Sequence, residues 1–155
     1  MATTIVNADM TVTITENVTL NGSNQGATNT LTIASVDEIF KRIVHCTNGQ
    51  TTTVLTFNDD NHGAAGAIDT QNAKYIRITN KDNADSVELA VVGAATLYQV
   101  TLGPGASHIL GSPDDLMLAE ADTSPSFGTM ADIASIQVQP TGSAIVDVEV
   151  FVASV

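Results

Sequence analysis

One cysteine, no tryptophan, four prolines and only five basic residues stand in this chain of 155 residues. Each scarcity excludes something. A lone Cys46 forms no intrachain disulfide, so nothing staples the fold covalently. The apolar setting of Cys46, Ile-Val-His-Cys, reads as that of a buried small hydrophobe. Five cations (Lys41, Arg42, Lys74, Arg77, Lys81) against 17 acids leave a net charge of −12. That is too few to make a phosphate-binding stripe, which excludes nucleic acid as a partner. The same charge repels an anionic lipid surface, and no apolar run approaches the ~20 residues of a membrane span, so no membrane partner is expected. The first residues hold neither a basic segment nor an apolar stretch, so no signal peptide is expected and folding in a cytoplasm is.

With charged residues at 14% and hydrophobic ones at 43%, the remainder is mostly Thr, Asn, Ser, Gln and Gly. Thr and Val favour pleated, half-buried positions, and strong helix formers are few. A chain of this length buries about 68–70% of its unfolded surface, enough for a core without metal or disulfide.

Alternation is frequent. Val12 and Ile14 alternate with Thr11, Thr13 and Thr15, and Val18 and Leu20 follow, so a first strand pair is expected on either side of Glu16 and Asn17. Residues 30–34 alternate again. Ser35 and Glu38 have the Ser-x-x-Glu spacing of a capping box, which fits a short helical turn. Residues 39–46 fit helical spacing or a strand, and the β-rich surroundings favour the strand. Residues 52–57 form another strand before a dense turn signal at 58–63. Tyr75, Arg77 and Thr79 alternate with Ile76 and Ile78; Val87, Leu89 and Val91 repeat the period, and Tyr98, Val100 and Leu102 repeat it again, the pattern of an antiparallel meander. Pro104 and Gly105 suit the two central positions of a type II turn. Residues 114–120 fit a strand or a helical turn. Ile133, Ile136 and Val138 open a penultimate strand. The clearest strand is the last, with Val146, Val148, Val150 and Val152 on one face and Asp147 and Glu149 on the other. Many short strands with turns every ten or so residues define an all-β fold: a single-domain antiparallel β-sandwich, jelly-roll-like, over 10–155, with 1–9 as a flexible or docking arm.

The cluster formed by Ile78-Thr79-Asn80, the strand 87–92, and Leu102-Gly-Pro-Gly-Ala-Ser107 leading into Ile109 and Leu110 resembles a pattern in small β-sandwich virion proteins of tailed bacteriophages, of the capsid decoration, cement or fibre type. The resemblance covers about a quarter of the chain. It implies a structural role carried by surfaces: a homo-oligomer stabilising the head surface, partnered by the major capsid protein or another virion protein, found in the virion and assembled in the host cytoplasm.

Catalytic signatures are missing: no phosphate loop, no zinc spacing, no nucleophile elbow, and no sequence neighbour that makes a triad of His45 or His108. The expectation is a protein that is not an enzyme and takes no cofactor. Asp59, Asp60 and His62 have donors suited to a divalent metal, in a segment that is also ordinary loop composition. Asn80, Asp82, Asn83 and Asp85 carry part of a calcium loop's oxygen spacing but lack its terminal Glu, and a hairpin connection explains them. Arg42 and Arg77 are candidate interface anchors for acidic partners. Tyr75 is a candidate interface residue and the platform of an alternative reading, a carbohydrate-binding or host-adhesion sandwich.

Overall fold

The computed structural model describes residues 5–59, 67–93, 97–120, 124–125 and 127–155. Its strands are β1 (Ala8–Thr15), β2 (Thr19–Leu20), β3 (Ser23–Asn24), β4 (Thr28–Val36), β5 (Glu38–Cys46), β6 (Thr52–Asn58), β7 (Ile68–Asp69), β8 (Ala73–Asn80), β9 (Val87–Gly93), β10 (Leu97–Leu102), β11 (Ser107–Leu110), β12 (Ile133–Pro140) and β13 (Val146–Ser154). No helix occurs among the described residues. The strands fall into two compact units, Met1–Glu38 with Val155, and Ile39–Ser154.

The first unit is a two-stranded ribbon. β1 pairs antiparallel with β4 in the register Val12 to Leu31 and Thr13 to Thr30, and the short pair β2 and β3 lies between them in sequence. The strands flanking Glu16 and Asn17 therefore do not pair with each other. Instead the chain closes at Glu16, whose amide donates to the Ala27 carbonyl at 2.9 Å. Gly26 permits that approach, because a Cβ there would stand 1.8 Å from the Glu16 carbonyl oxygen. Ser35 is no helix cap. It takes a left-handed φ of 62° at a bulge in β4, and its amide donates to Asp9 Oδ1 at 3.2 Å.

The second unit is a sandwich of two sheets, with strand orders β10-β9-β12-β6-β7 and β11-β8-β13-β5. Alternation makes it: Ile76 and Ile78 of β8 and Val146, Val148, Val150 and Val152 of β13 face Val87, Leu89 and Val91 of β9 and Ile136 and Val138 of β12 in one continuous core. Cys46 is buried in it, as its apolar setting implies. β8 pairs antiparallel with β11 and β13, and β9 with β10 and β12, while the short pairing between β6 and β7 is parallel.

The expected meander is split. β9 and β10 form a hairpin, but β8 belongs to the opposite sheet, so residues 81–86 carry the chain from one sheet to the other. The turn at 103–106 makes a second crossing. Gly105 has a φ of 71° and Ala106 donates to the Gly103 carbonyl at 3.0 Å, the type II geometry that Pro104 favours. Residues 114–120 form neither strand nor helical turn; only Met117 bridges, to Ala131.

Candidate functional site

Three ion pairs gather on the outer face of the four-stranded sheet. Arg77 on β8 donates from Nη2 to Glu149 Oε1 at 2.7 Å and from Nη1 to Thr79 Oγ1 at 2.6 Å. Lys41 on β5 approaches the other oxygen of Glu149 at 3.5 Å. Thr79 and Ser107 share a hydrogen bond of 2.8 Å, and His45 pairs with Asp147. The Arg77 guanidinium lies 5.7 Å from the Phe151 ring centroid, and Tyr75 meets that ring edge-on at 6.1 Å. The hydrogen bond from Arg77 holds the Glu149 carboxyl below its usual range, with Lys41 adding to the effect and burial opposing it. Two cations thus balance two carboxylates on this face, in a chain carrying −12. Exposed Ile39 and Ile43 on β5 and Ile109 on β11 flank the charges.

Two of the three residues nominated as an interface meet here. Arg77 is half-buried and fully engaged with its own sheet. Tyr75 is only 5% exposed, packed instead of presented as a stacking platform. Arg42 points by alternation to the other side of β5, is exposed, and makes no ion pair with a described residue. Glu149, Asp147 and Phe151 complete the face; only strand parity could have paired them with β8 and β5, since about seventy residues separate Arg77 from Glu149.

On the five-stranded sheet the outer face carries a groove of about 300 Å³. Ala90 of β9 is its floor, between Gln99 of β10 and Gln137 of β12 in one rung, with Glu88 and Gln139 in the next. A small residue between long amides makes the hollow. Thr51 donates to Gln139 Oε1 at 3.1 Å. No aromatic side chain lines it.

Asp114, Asp115 and Asp132 bring carboxylate oxygens within 4.8 Å of one another. Such hard oxygens are of the kind Ca²⁺ takes. Partial desolvation and the neighbouring Asp132 and Asp115 raise the Asp114 carboxyl above its usual range. Of the residues nominated for a metal, Asp59 lines a depression of about 420 Å³ with Asp115 and Asp132; Asp60 and His62 lie outside the described residues. Asp82 serves its own loop. It accepts from the amides of Asp85 and Ala84, each at 2.7 Å, and these lower its carboxyl.

Between the sheets, Tyr98 Oη and His108 Nε2 lie 2.9 Å apart. Burial lowers His108 below its ordinary 6.5 and raises the Tyr98 hydroxyl. Because the folded value lies below the unfolded one, the unfolded chain takes up this proton first. The contribution of His108 is therefore complete above 6.5 and is lost as pH falls beneath it. Urea midpoints are expected to drop between pH 7.5 and 5.5, and His108→Gln should flatten that step; an unchanged step would assign it elsewhere.

No protein-family model and no curated protein matches the chain.

Proposed function

We propose that this chain is a structural virion protein of a tailed bacteriophage, a capsid decoration or cement protein that covers the head surface as a homo-oligomer. The carrying observation is the outer face of the four-stranded sheet, where Glu149 is paired with Arg77 and Lys41 and isoleucines stand at both margins. A partner covering this face meets Glu149 already paired with Arg77 and Lys41, which lowers the penalty of burying those ions. Four strands ~4.8 Å apart and eight residues rising ~3.3 Å each span roughly 500 Å², less than the ~800 Å² per partner of a standard interface. Repeated copies on a lattice make up that deficit through multivalency.

The winding supports the reading by analogy. Numbered from β5 and without the two-residue β7, the eight strands run 1-8-3-6 in one sheet and 2-7-4-5 in the other. We read this as a jelly roll, an architecture that capsid proteins and lectins use. The acidic remainder of the surface keeps decorated particles soluble and apart.

The test is saturable binding to undecorated capsids of the same phage, followed by sedimentation. Ile43→Asp is expected to weaken binding about 30-fold, equivalent to roughly 2 kcal/mol, as an interface anchor does. Binding of the variant at wild-type strength would overturn this face as the contact.

A second reading, a carbohydrate-binding or host-adhesion module, draws on the amide-lined groove, whose Gln99, Gln137 and Glu88 present donors and acceptors in register. Glycan-array binding abolished by Gln137→Ala, with no capsid binding, would favour it over decoration.

A further inference from the structure

The β1 and β4 ribbon is sorted by face. Along its register, Met10, Val12 and Ile14 share one side with Ile33, Leu31 and Asn29. The other side is all threonine: Thr11, Thr13 and Thr15 oppose Thr32, Thr30 and Thr28, and every one is exposed. Ile33 is buried, yet Leu31 is 55% and Ile14 48% exposed. An apolar face is thus left uncovered towards the tip, beside the exposed Val18 and Leu20.

We infer that this ribbon docks on the same ribbon of a second copy of the chain, apolar face to apolar face. The proposal rests on the reading of the chain as a self-assembling structural protein and gives that assembly its contact. Three features select a second ribbon as the occupant. A two-stranded hairpin is marginally stable in water unless further strands or a hydrophobic cover complete it. Both strands are sheet edges, and natural edges are guarded by Lys, Pro or inward charge; β1 and β4 contain no Lys, Arg or Pro, and Asp9 is their one charge. Electrostatics decide between the copies' surfaces. The segment 1–38 carries Asp9, Glu16, Asp37 and Glu38 and no cation, while residues 39–155 hold 13 acids and five bases. Docking onto that second unit sets acid against acid, but the side chains of the apolar face are uncharged and meet their own kind without repulsion. Strands of eight and nine residues give a face of roughly 25 by 10 Å, about 250 Å². That is a fraction of the ~800 Å² of a standard interface, so the association depends on protein concentration and is reinforced in an assembly of many copies.

The test uses the full-length protein and single cysteines. Val12 and Leu31 form the middle rung, which a two-fold axis brings closest to its mate. Cys46 is buried and burial pushes its thiol up, so it contributes no background. With a bismaleimide cross-linker that spans ~10 Å, Leu31→Cys or Val12→Cys is expected to convert to a covalent dimer, because sheets packed face to face stand ~10 Å apart, beyond the ~4.4–6.8 Å of a direct disulfide. Thr30→Cys, exposed on the threonine face, should form no covalent dimer. By sedimentation, wild type should exceed the 16.0 kDa monomer as concentration rises, and Leu31→Asp should return it to monomer, with a urea midpoint equal to that of wild type at concentrations where wild type is monomeric. Equal cross-linking of Thr30→Cys, no cross-linking of either apolar-face variant, or an assembly indifferent to Leu31→Asp would overturn the inference. Capsid binding is read separately: cross-linking without capsid binding removes the decoration role and leaves the ribbon contact standing, and capsid binding by a ribbon that never cross-links does the reverse.

Discussion

Asn80→Ala is expected to lower the stability of the folded chain by about 3 to 5 kcal/mol, the sum of one buried and three part-buried groups left without their partner, each costing up to ~1–3 kcal/mol. Asn80 is fully buried at the end of β8. Its amide nitrogen donates to the carbonyls of Asp85 at 2.9 Å, Leu102 at 3.1 Å and Gly103 at 3.2 Å, its Oδ1 accepts from Asp82 N at 3.0 Å, and its own N–H donates to Ala106 O at 3.0 Å. One side chain therefore ties the 81–86 crossing to the turn after β10, the two places near it where the chain changes sheets. Alanine removes every side-chain bond and leaves a small hole. Asn80→Asp keeps the shape but replaces the donor with acceptors facing carbonyls, and is expected to be no better. At ~2–4 °C per kcal/mol for a chain of this size, the melting temperature should fall by about 10 °C. Asn83→Ala, in the same loop but exposed, should change stability by less than ~0.5 kcal/mol. Urea unfolding of the three variants checks this, and an Asn80→Ala protein within ~1 kcal/mol of wild type would show that water replaces the amide.

The role of Asn80 was partly written in its parity. Ile76, Ile78 and Asn80 occupy alternate positions on β8, so an inward asparagine follows from the same period that places the isoleucines. The competing signal was composition: a loop of Asn and Asp with alternating oxygens reads as a turn or an ion loop, and nothing local says that three carbonyls from residues 85, 102 and 103 wait for its amide. The long strands of the sandwich were readable because their inward positions are apolar at every second residue; β13 follows its valines from Val146 onward. Pairing was not readable, since a strand's hydrophobic pattern fixes which face is inward and leaves its neighbour open. Hence β8 and β9 look like a hairpin yet sit in opposite sheets, and β1 passes over its near neighbour to pair with β4. The surface sites share that cause. The groove depends on Ala90 lying between Gln99 and Gln137, three residues from three strands, and the acidic cluster joins Asp114 and Asp115 to Asp132 across an irregular segment.

Arg77→Met is the second large effect, about 2 kcal/mol, the range for losing hydrogen bonds to a charged group at a largely buried site. The methionine stem still covers Phe151, so packing is roughly conserved and the lost quantity is the pairing of Glu149, which lies 9% exposed. Lys41, at 3.5 Å and mostly in solvent, remains as a partial partner and keeps the loss below that of a fully isolated buried charge. Removing both ends, Arg77→Met with Glu149→Met, is expected to recover most of the stability, because an apolar pair of similar volume replaces two ions that had to be desolvated. The pH profile separates this cause from a packing defect. Glu149 is held below its ordinary 4.5 in the folded chain chiefly by Arg77, so its contribution is complete above 4.5 and is lost as pH falls through the lowered folded value. Without Arg77 the folded and unfolded values draw together, and the acid-side loss of stability should shrink. Urea midpoints between pH 7 and 3 for wild type, single and double variants read all three expectations; a double variant as weak as the single, with the acid slope of wild type intact, would mean that Arg77 acts through packing and that the charge balance of this face is incidental.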